Sequence, residues 1–123
     1  MDYRESLPDG CPPEGAEVIG SRLLVYRLVR TNPPTVDDFK SQRAEKPDAV
    51  FRTSECIARG LSVHTELADS EKARKLPRLR NELICRLSLE TGAGRIQQTG
   101  QPSHHTWWPL ATFDILRQCE VLP

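Results

Sequence analysis

The side chains best suited to proton transfer or ligand stacking lie in one short segment. Two of the three histidines, His104 and His105, and both tryptophans, Trp107 and Trp108, fall within residues 100–109. Histidine titrates near neutral pH and can move a proton or bind an anion, and an indole offers a flat face for stacking. Gly and Pro at the ends of the segment predict a loop. The loop is interpreted as one wall of a site for a planar, charged ligand; the alternative is that both indoles plug one end of the core.

Three further candidates lie earlier in the chain. Arg27 is the charged residue on an otherwise apolar face of a predicted strand, and burying it without a partner would be costly. It either extends its guanidinium to the surface along a buried stem or clamps an anion. Ser62 and His64 form the small polar face of an alternating segment. We therefore predict His64, His104 and His105 as catalytic residues, and Arg27, Ser62, Trp107 and Trp108 as ligand-binding residues.

Metal and thiol chemistry are not expected. His104 and His105 are adjacent, so in an extended backbone they point in opposite directions, and no carboxylate stands at ligand spacing. The four cysteines are far apart in sequence and form no CxxC motif. Cys56, Cys85 and Cys119 are predicted to be buried thiols, and Cys11 lies in a Pro-rich arm where it could be exposed.

These candidates must be positioned by a small number of elements. Hydrophobic periodicity and breaker residues predict strands at 21–30, 61–65, 81–90, 95–99 and 111–121, with helices at 35–46, 53–60 and 70–76. The order is β-α-α-β-α-β-β-β, which predicts a single α+β domain with a mixed or antiparallel sheet. Residues 1–17 are predicted as an irregular arm and residues 18–123 as the domain.

Local signals predict where the helices begin and end. Thr35 and Asp38 have the spacing of a capping box. Gly60 is predicted to end the second helix in a left-handed conformation, and Asp69 to cap the third. The basic run from Lys72 to Arg80 is interpreted as a solvated helix face, with RNA binding as the alternative.

Composition narrows the function classes. The chain has 123 residues, with 17 basic and 17 acidic side chains and a net charge of zero. A zero net charge gives no general attraction to nucleic acid or to an anionic membrane. No apolar run approaches the length of a membrane span, and the first residues lack the apolar centre of a signal peptide. These features predict a cytoplasmic protein.

The order of strands and the placement of two residues carry a resemblance. An early strand bearing Arg27, two helices, and a strand bearing Ser62 followed by Thr65 resemble ADP-ribosyltransferase-like proteins, across most of residues 22–121. The resemblance implies a cleft that binds NAD between two small sheets, with Arg27 and Ser62 in the family's first-strand and second-strand positions. Where that family carries a catalytic Glu on a late strand, this chain has Gln97 and Gln98.

The sequence thus predicts a cleft between Arg27, Ser62, His64 and the segment 100–109 that binds a nucleotide-like or phosphorylated ligand, with NAD as the named example. If the protein is an enzyme, group transfer or hydrolysis at a nucleotide fits best. Two alternatives stay open. One is a non-catalytic interaction module that uses Trp107 and Trp108 as anchors for a protein partner, and the other is an RNA-binding accessory protein.

Overall fold

A seven-stranded sheet organises the protein in a computed structural model that describes residues 2–123. Its strands are β1 (Glu17–Val18), β2 (Leu23–Val29), β3 (Leu61–His64), β4 (Leu83–Leu89), β5 (Gly94–Gln98), β6 (His104–Pro109) and β7 (Cys119–Val121). Their order across the sheet is β1-β5-β6-β3-β2-β4-β7, and each neighbouring pair is antiparallel. The helices are α1 (Gln42–Glu45), α2 (Glu55–Ala58) and α3 (Leu67–Arg74), with 3-10 turns at Val36–Phe39 and Leu116–Gln118. The predicted α+β class is confirmed.

One face of the sheet, here called the core face, carries the hydrophobic core. Alternate residues of a strand point to one face, so β2 contributes Val25 and Val29 and β3 contributes Leu61 and Val63. The remaining buried members of the same cluster are Ile19, Phe39, Cys85, Leu87, Leu89, Ala93, Ile96, Trp107 and Ile115. Burial raises the pKa of the Cys85 thiol to about 12, so this cysteine behaves as a small hydrophobic side chain, as predicted.

The prediction of a loop over residues 100–109 is wrong. Turns occupy only its first residues, and His104–Pro109 is an internal strand between β5 and β3. Gly94 lies opposite Pro109 at its end, with a φ of 119° that favours glycine. Pro109 itself misled the sequence analysis. A proline is tolerated at the end of a strand, where the lost N–H costs least.

The last predicted strand is also wrong over most of its length. Residues 111–118 form turns and a 3-10 turn, and only Cys119–Val121 pairs with β4. The predicted inward-facing set nevertheless packs on the core, with Ile115 buried and Phe113, Cys119 and Val121 partly buried. Apolar content therefore predicted burial here without predicting backbone conformation.

The helix ends follow the predictions in part. Thr35 and Asp38 form the predicted capping box, but the segment they open is a 3-10 turn, followed by the separate helix α1. Asp69 lies inside α3, which begins at Leu67 after Glu66. Gly60 is not left-handed. It is needed for another reason, because a Cβ there would collide with the side chains of Thr106 and Trp108.

The N-terminal arm is tied to the helices by a disulfide that the sequence analysis did not predict. Cys11 bonds to Cys56 of α2 across 45 residues of sequence. Glu5 receives hydrogen bonds from the backbone N–H and the hydroxyl of Ser41, which caps α1, at 2.9 and 2.5 Å. The arm thus holds α1 and α2 against the domain, and the prediction that Cys56 is a buried free thiol is wrong.

Candidate functional site

The opposite face of the sheet, here called the cleft face, carries the candidate site. A cleft of about 840 Å³ opens above the central strands. Residues from β2, β3 and β6 that share this face line it: Tyr26, Leu28, Ser62, His64, His104 and Thr106. A volume of this size falls within the range of small-molecule and cofactor sites.

Strand register explains why these side chains converge. His64 lies opposite His104, and Ser62 lies opposite Thr106. On the other side of β3, Tyr26 of β2 lies opposite His64, and within residues 2–123 this is the single register pair that joins the two strands. By contrast, β2 pairs with β4 over seven residues. β2 and β3 therefore share little backbone pairing at the position of the cleft.

A short chain of hydrogen bonds links Ser62 to β6. The Ser62 Oγ lies 2.5 Å from His104 Nε2, and His104 Nδ1 lies 2.7 Å from the backbone oxygen of Thr99. The Thr99 hydroxyl contacts both His104 Nδ1, at 3.1 Å, and the Thr106 hydroxyl, at 2.8 Å. Ser62 is exposed to the cleft, so this chain ends at a hydroxyl that a ligand can reach.

His64 is held by a different partner. Its Nδ1 lies 2.9 Å from the hydroxyl of Ser70, a fully buried residue of α3. The rings of His64 and His104 meet edge to face, with centroids 5.6 Å apart. Burial lowers the pKa of His64, and the neighbouring His104 lowers it further. A neutral His64 can accept a proton or a hydrogen bond from a ligand at neutral pH.

Arg27 has a structural task that the sequence did not predict. Its guanidinium donates to the backbone oxygens of Asp38, Ser62 and Lys40, at 3.0, 2.8 and 3.3 Å. Three of its five N–H groups are thereby used, and they join β3 to the segment after β2. Burial lowers the pKa of this guanidinium. Arg27 lines the cleft, but its main contacts are with the protein's own backbone.

The two tryptophans lie outside the cleft, and this contradicts the prediction that they stack on a ligand or anchor a partner. Trp107 and Trp108 are 0% and 1% exposed. The indole of Trp107 donates to Ala93 O on the core side, and that of Trp108 donates to Cys56 O beneath α2, both at 2.9 Å. The alternative interpretation, in which the indoles fill the interior, matches the structure.

His105 is not brought together with the other two histidines. It lies opposite Val63 and so points to the core face, where its Nδ1 is 2.9 Å from Ser103 O. The predicted site therefore divides between the two faces. Ser62, His64 and His104 meet in the cleft, whereas His105 and Trp107 lie on the other face.

The walls of the cleft combine charged and apolar groups. Arg30 pairs with Glu45 at 2.5 Å, and Arg78 lines the cleft without an ion pair among the described residues. Apolar wall positions are Ile57, Leu76 and Leu79. The wall formed by α1 and α2 is braced by Glu55, which accepts hydrogen bonds from Arg43 and Arg59, and these bonds lower the pKa of Glu55 to about 2.

Sequence reasoning missed Tyr26, Thr99 and Ser70 as parts of the site. The alternation of β2 placed Tyr26 on the face opposite Arg27, but nothing in the sequence indicated which face holds the cleft. Thr99 directly precedes a glycine turn that folds back onto His104. Its backbone oxygen makes the shortest contact with His104, and its hydroxyl meets His104 and Thr106 only because this turn folds back.

Within residues 2–123, no group of three or more His, Cys, Asp or Glu side chains is arranged to hold a metal ion. In the same range, none of the helices combines the length and the apolar content that a membrane crossing requires.

Comparison of the chain with protein-family models, with curated proteins and with solved structures finds no match. The geometry of the cleft is therefore the basis on which a function can be inferred.

Proposed function

We propose that the cleft binds a nucleotide-like or phosphorylated ligand, with NAD as the first candidate. The observation that carries this proposal is the convergence of Tyr26, Ser62, His64 and His104 from three strands on one cleft of about 840 Å³. Such a volume suits a dinucleotide or a smaller nucleotide.

The distribution of side chains supports this ligand class. The guanidinium of Arg78 at the wall suits an anionic phosphate. The hydroxyls of Ser62, Thr99 and Thr106 suit a ribose, since a hydroxyl both donates and accepts hydrogen bonds. Apolar side chains among the lining residues, Ile57 from α2 and Leu76 and Leu79 from the segment after α3, offer surface for the flat face of a base.

Group transfer or hydrolysis at the bound nucleotide is the reaction class that we propose for this cleft. The resemblance to ADP-ribosyltransferase-like proteins supports it through Ser62 on the cleft face. Arg27 lines the cleft but donates to backbone oxygens, and the cleft lies on one sheet and not between two. The family's late-strand Glu has no counterpart at Gln97 or Gln98, so His104 is the group here that would move a proton. We expect any transfer to depend on His104.

A thermal-shift screen of the purified full chain tests ligand binding. The probes are NAD, AMP, inorganic phosphate and a short RNA. A ligand at one hundred times its dissociation constant stabilises the folded state by about 2.7 kcal/mol, which raises the melting temperature measurably. A shift with NAD or AMP is expected. A shift with RNA alone would favour the RNA-binding alternative, and no shift with any probe would reject the proposal.

The two adjacent histidines provide a matched pair of variants. His104→Gln alters the cleft, whereas His105→Gln changes the neighbouring residue on the other face of the same strand. The ligand-induced shift should be lost in His104→Gln and kept in His105→Gln. Equal loss in both variants would show that the shift reports general destabilisation.

The disulfide bears on location. Structural disulfides persist in oxidising environments and are rare in the cytosol, so the Cys11–Cys56 bond counts against the cytoplasmic location predicted from sequence. We propose that the chain works in an oxidising compartment. Counting free thiols in protein taken directly from its native cells, with alkylation before lysis, tests this. Four free thiols would contradict it, and two would support it.

A further inference from the structure

The contact between Ser62 and His104 has the geometry of a nucleophile and its base. The Ser62 Oγ is 2.5 Å from His104 Nε2, within hydrogen-bond reach. The residue is exposed in the cleft, so a substrate atom can approach its oxygen.

The second ring nitrogen fixes the direction of this hydrogen bond. His104 Nδ1 lies 2.7 Å from the backbone oxygen of Thr99, and a carbonyl oxygen can only accept. In the neutral ring, Nδ1 therefore carries the hydrogen and Nε2 carries the lone pair. The Ser62 hydroxyl must then donate to Nε2, which is the arrangement that a general base needs in order to take its proton.

Both residues are held by regular structure. Ser62 and His104 are diagonal neighbours on β3 and β6, two paired strands in the interior of the sheet. The backbone oxygen of Ser62 also receives a hydrogen bond from Arg27 Nη1 at 2.8 Å. Sites built on strands keep their geometry better than sites built on loops.

We propose that Ser62 is a nucleophile for acyl transfer from small activated esters, with His104 as its general base and Thr99 O as the group that orients the ring. The Ser62 Oγ attacks the ester carbonyl carbon while its proton passes to His104 Nε2. Collapse of the tetrahedral intermediate breaks the bond to the leaving oxygen, which takes the proton from Nε2. Water then attacks the acyl-serine by the same route and releases the carboxylic acid.

The orienting group has a consequence for substrate class. A carbonyl oxygen carries only a partial negative charge, so it stabilises the imidazolium less than the carboxylate of a full triad does. The pair therefore suits esters with good leaving groups, such as aryl esters. This inference concerns Ser62 and does not depend on nucleotide binding.

Labelling with a fluorophosphonate tests the nucleophile directly. Attack by Ser62 expels fluoride and leaves a stable phosphonyl ester, which intact mass spectrometry counts and peptide mapping locates. We expect one adduct per chain, on Ser62, in the native protein without added nucleotide. Mapping on the unmodified sequence needs no variant, so the result does not depend on whether a variant folds.

Variants then separate a catalytic pair from a structural hydrogen bond. His104→Gln keeps a polar side chain but supplies no base, and it should slow labelling at least about 100-fold. His105→Gln should label at the native rate, as should Ser88→Ala, which removes a serine from β4 on the same sheet face. Absence of an adduct on Ser62, or equal labelling in His104→Gln, would overturn the proposal.

The same experiments distinguish this proposal from the ligand proposal. Labelling of Ser62 without a nucleotide-induced thermal shift would support the nucleophile and reject the nucleotide site. A nucleotide-induced thermal shift without labelling of Ser62 would support the nucleotide site and reject the nucleophile.

Discussion

The two faces of β6 differ in what their side chains do: one face carries hydrogen-bonding groups that reach the cleft, and the other carries a fully buried indole. On the cleft face, His104 and Thr106 join a network of hydrogen bonds that ends at the exposed Ser62 hydroxyl. On the core face, Trp107 is fully buried and its indole is committed to Ala93 O. A single strand therefore anchors the interior and presents the candidate chemistry. Substitutions on the two faces of β6 should consequently separate stability from function.

The largest expected effect is on the core face. Trp107→Ala should lower the free energy of unfolding by roughly 3–5 kcal/mol, as truncation of a buried aromatic does. His104→Gln should lower it by less, about 1–2 kcal/mol, because its hydrogen bonds to Ser62 and Thr99 are altered while glutamine fills most of the ring's volume. Urea unfolding followed by circular dichroism measures both. Similar losses in the two variants would show that the cleft network is itself a main stabilising element.

The disulfide should have the next largest effect. Closing a loop of 45 residues stabilises the folded state by up to about 4 kcal/mol in the chain-entropy account. A reductant should therefore lower the melting temperature of the native protein. The double variant Cys11→Ser/Cys56→Ser should have the lower melting temperature already and should not respond. A native protein whose melting temperature is insensitive to a reductant that cleaves the bond would contradict this.

A smaller effect is expected from His64 on the cleft face. Its pKa is lowered in the folded state, mainly by burial, so the unfolded state binds the proton more readily. Stability should then decrease as pH falls below the unfolded value of about 6.5. In urea titrations from pH 7.5 to pH 5, His64→Gln should lose less stability than the native protein. A His64→Gln variant that loses as much stability as the native protein would contradict this role of His64.

The smallest effect is expected at the wall of the cleft. Hydrogen bonds from Arg43 and Arg59 lower the pKa of Glu55 to about 2. The stabilisation from its ionised form is present above the unfolded pKa of about 4.3 and is lost as pH falls through the folded value. The stability difference between the native protein and Glu55→Gln should therefore be constant near pH 6 and shrink between about pH 4.3 and pH 2. A stability difference that does not change with pH would contradict a stabilising role for the ionised Glu55 carboxylate.

The alternation of apolar residues predicted most of the sheet, because period-two burial is a local property of a strand. It predicted β2, β3, β4 and β5 and assigned Val25 and Arg27 to one face. The rule fails at residues 104–109, because both faces of β6 carry buried residues and the nearby Gly and Pro predict a loop. The sequence named Ser62, His64 and His104 as candidates, and they do meet. It also named His105, Trp107 and Trp108, since only the register of β6 reveals which residues share a face.

Other features were beyond the sequence for physical reasons. The contacts of Arg27 are with backbone oxygens, which every residue type provides. The Cys11–Cys56 pairing depends on how the arm folds over α2, and a spacing of 45 residues carries no pattern. The role of Thr99 likewise comes from its carbonyl group.

The close approach at Gly60 has a consequence for recognising related chains. Ser62 and His64 lie opposite Thr106 and His104 across the two strands. Gly60, just before β3, lies against the side chains of Thr106 and Trp108. A larger residue at position 60 would push the strands apart and lengthen the distance between Ser62 and His104. The paired pattern Gly-x-Ser-x-His and His-x-Thr-x-Trp is therefore a compact sequence signature for this cleft, and a protein that carries both halves should bring the same serine and histidine together.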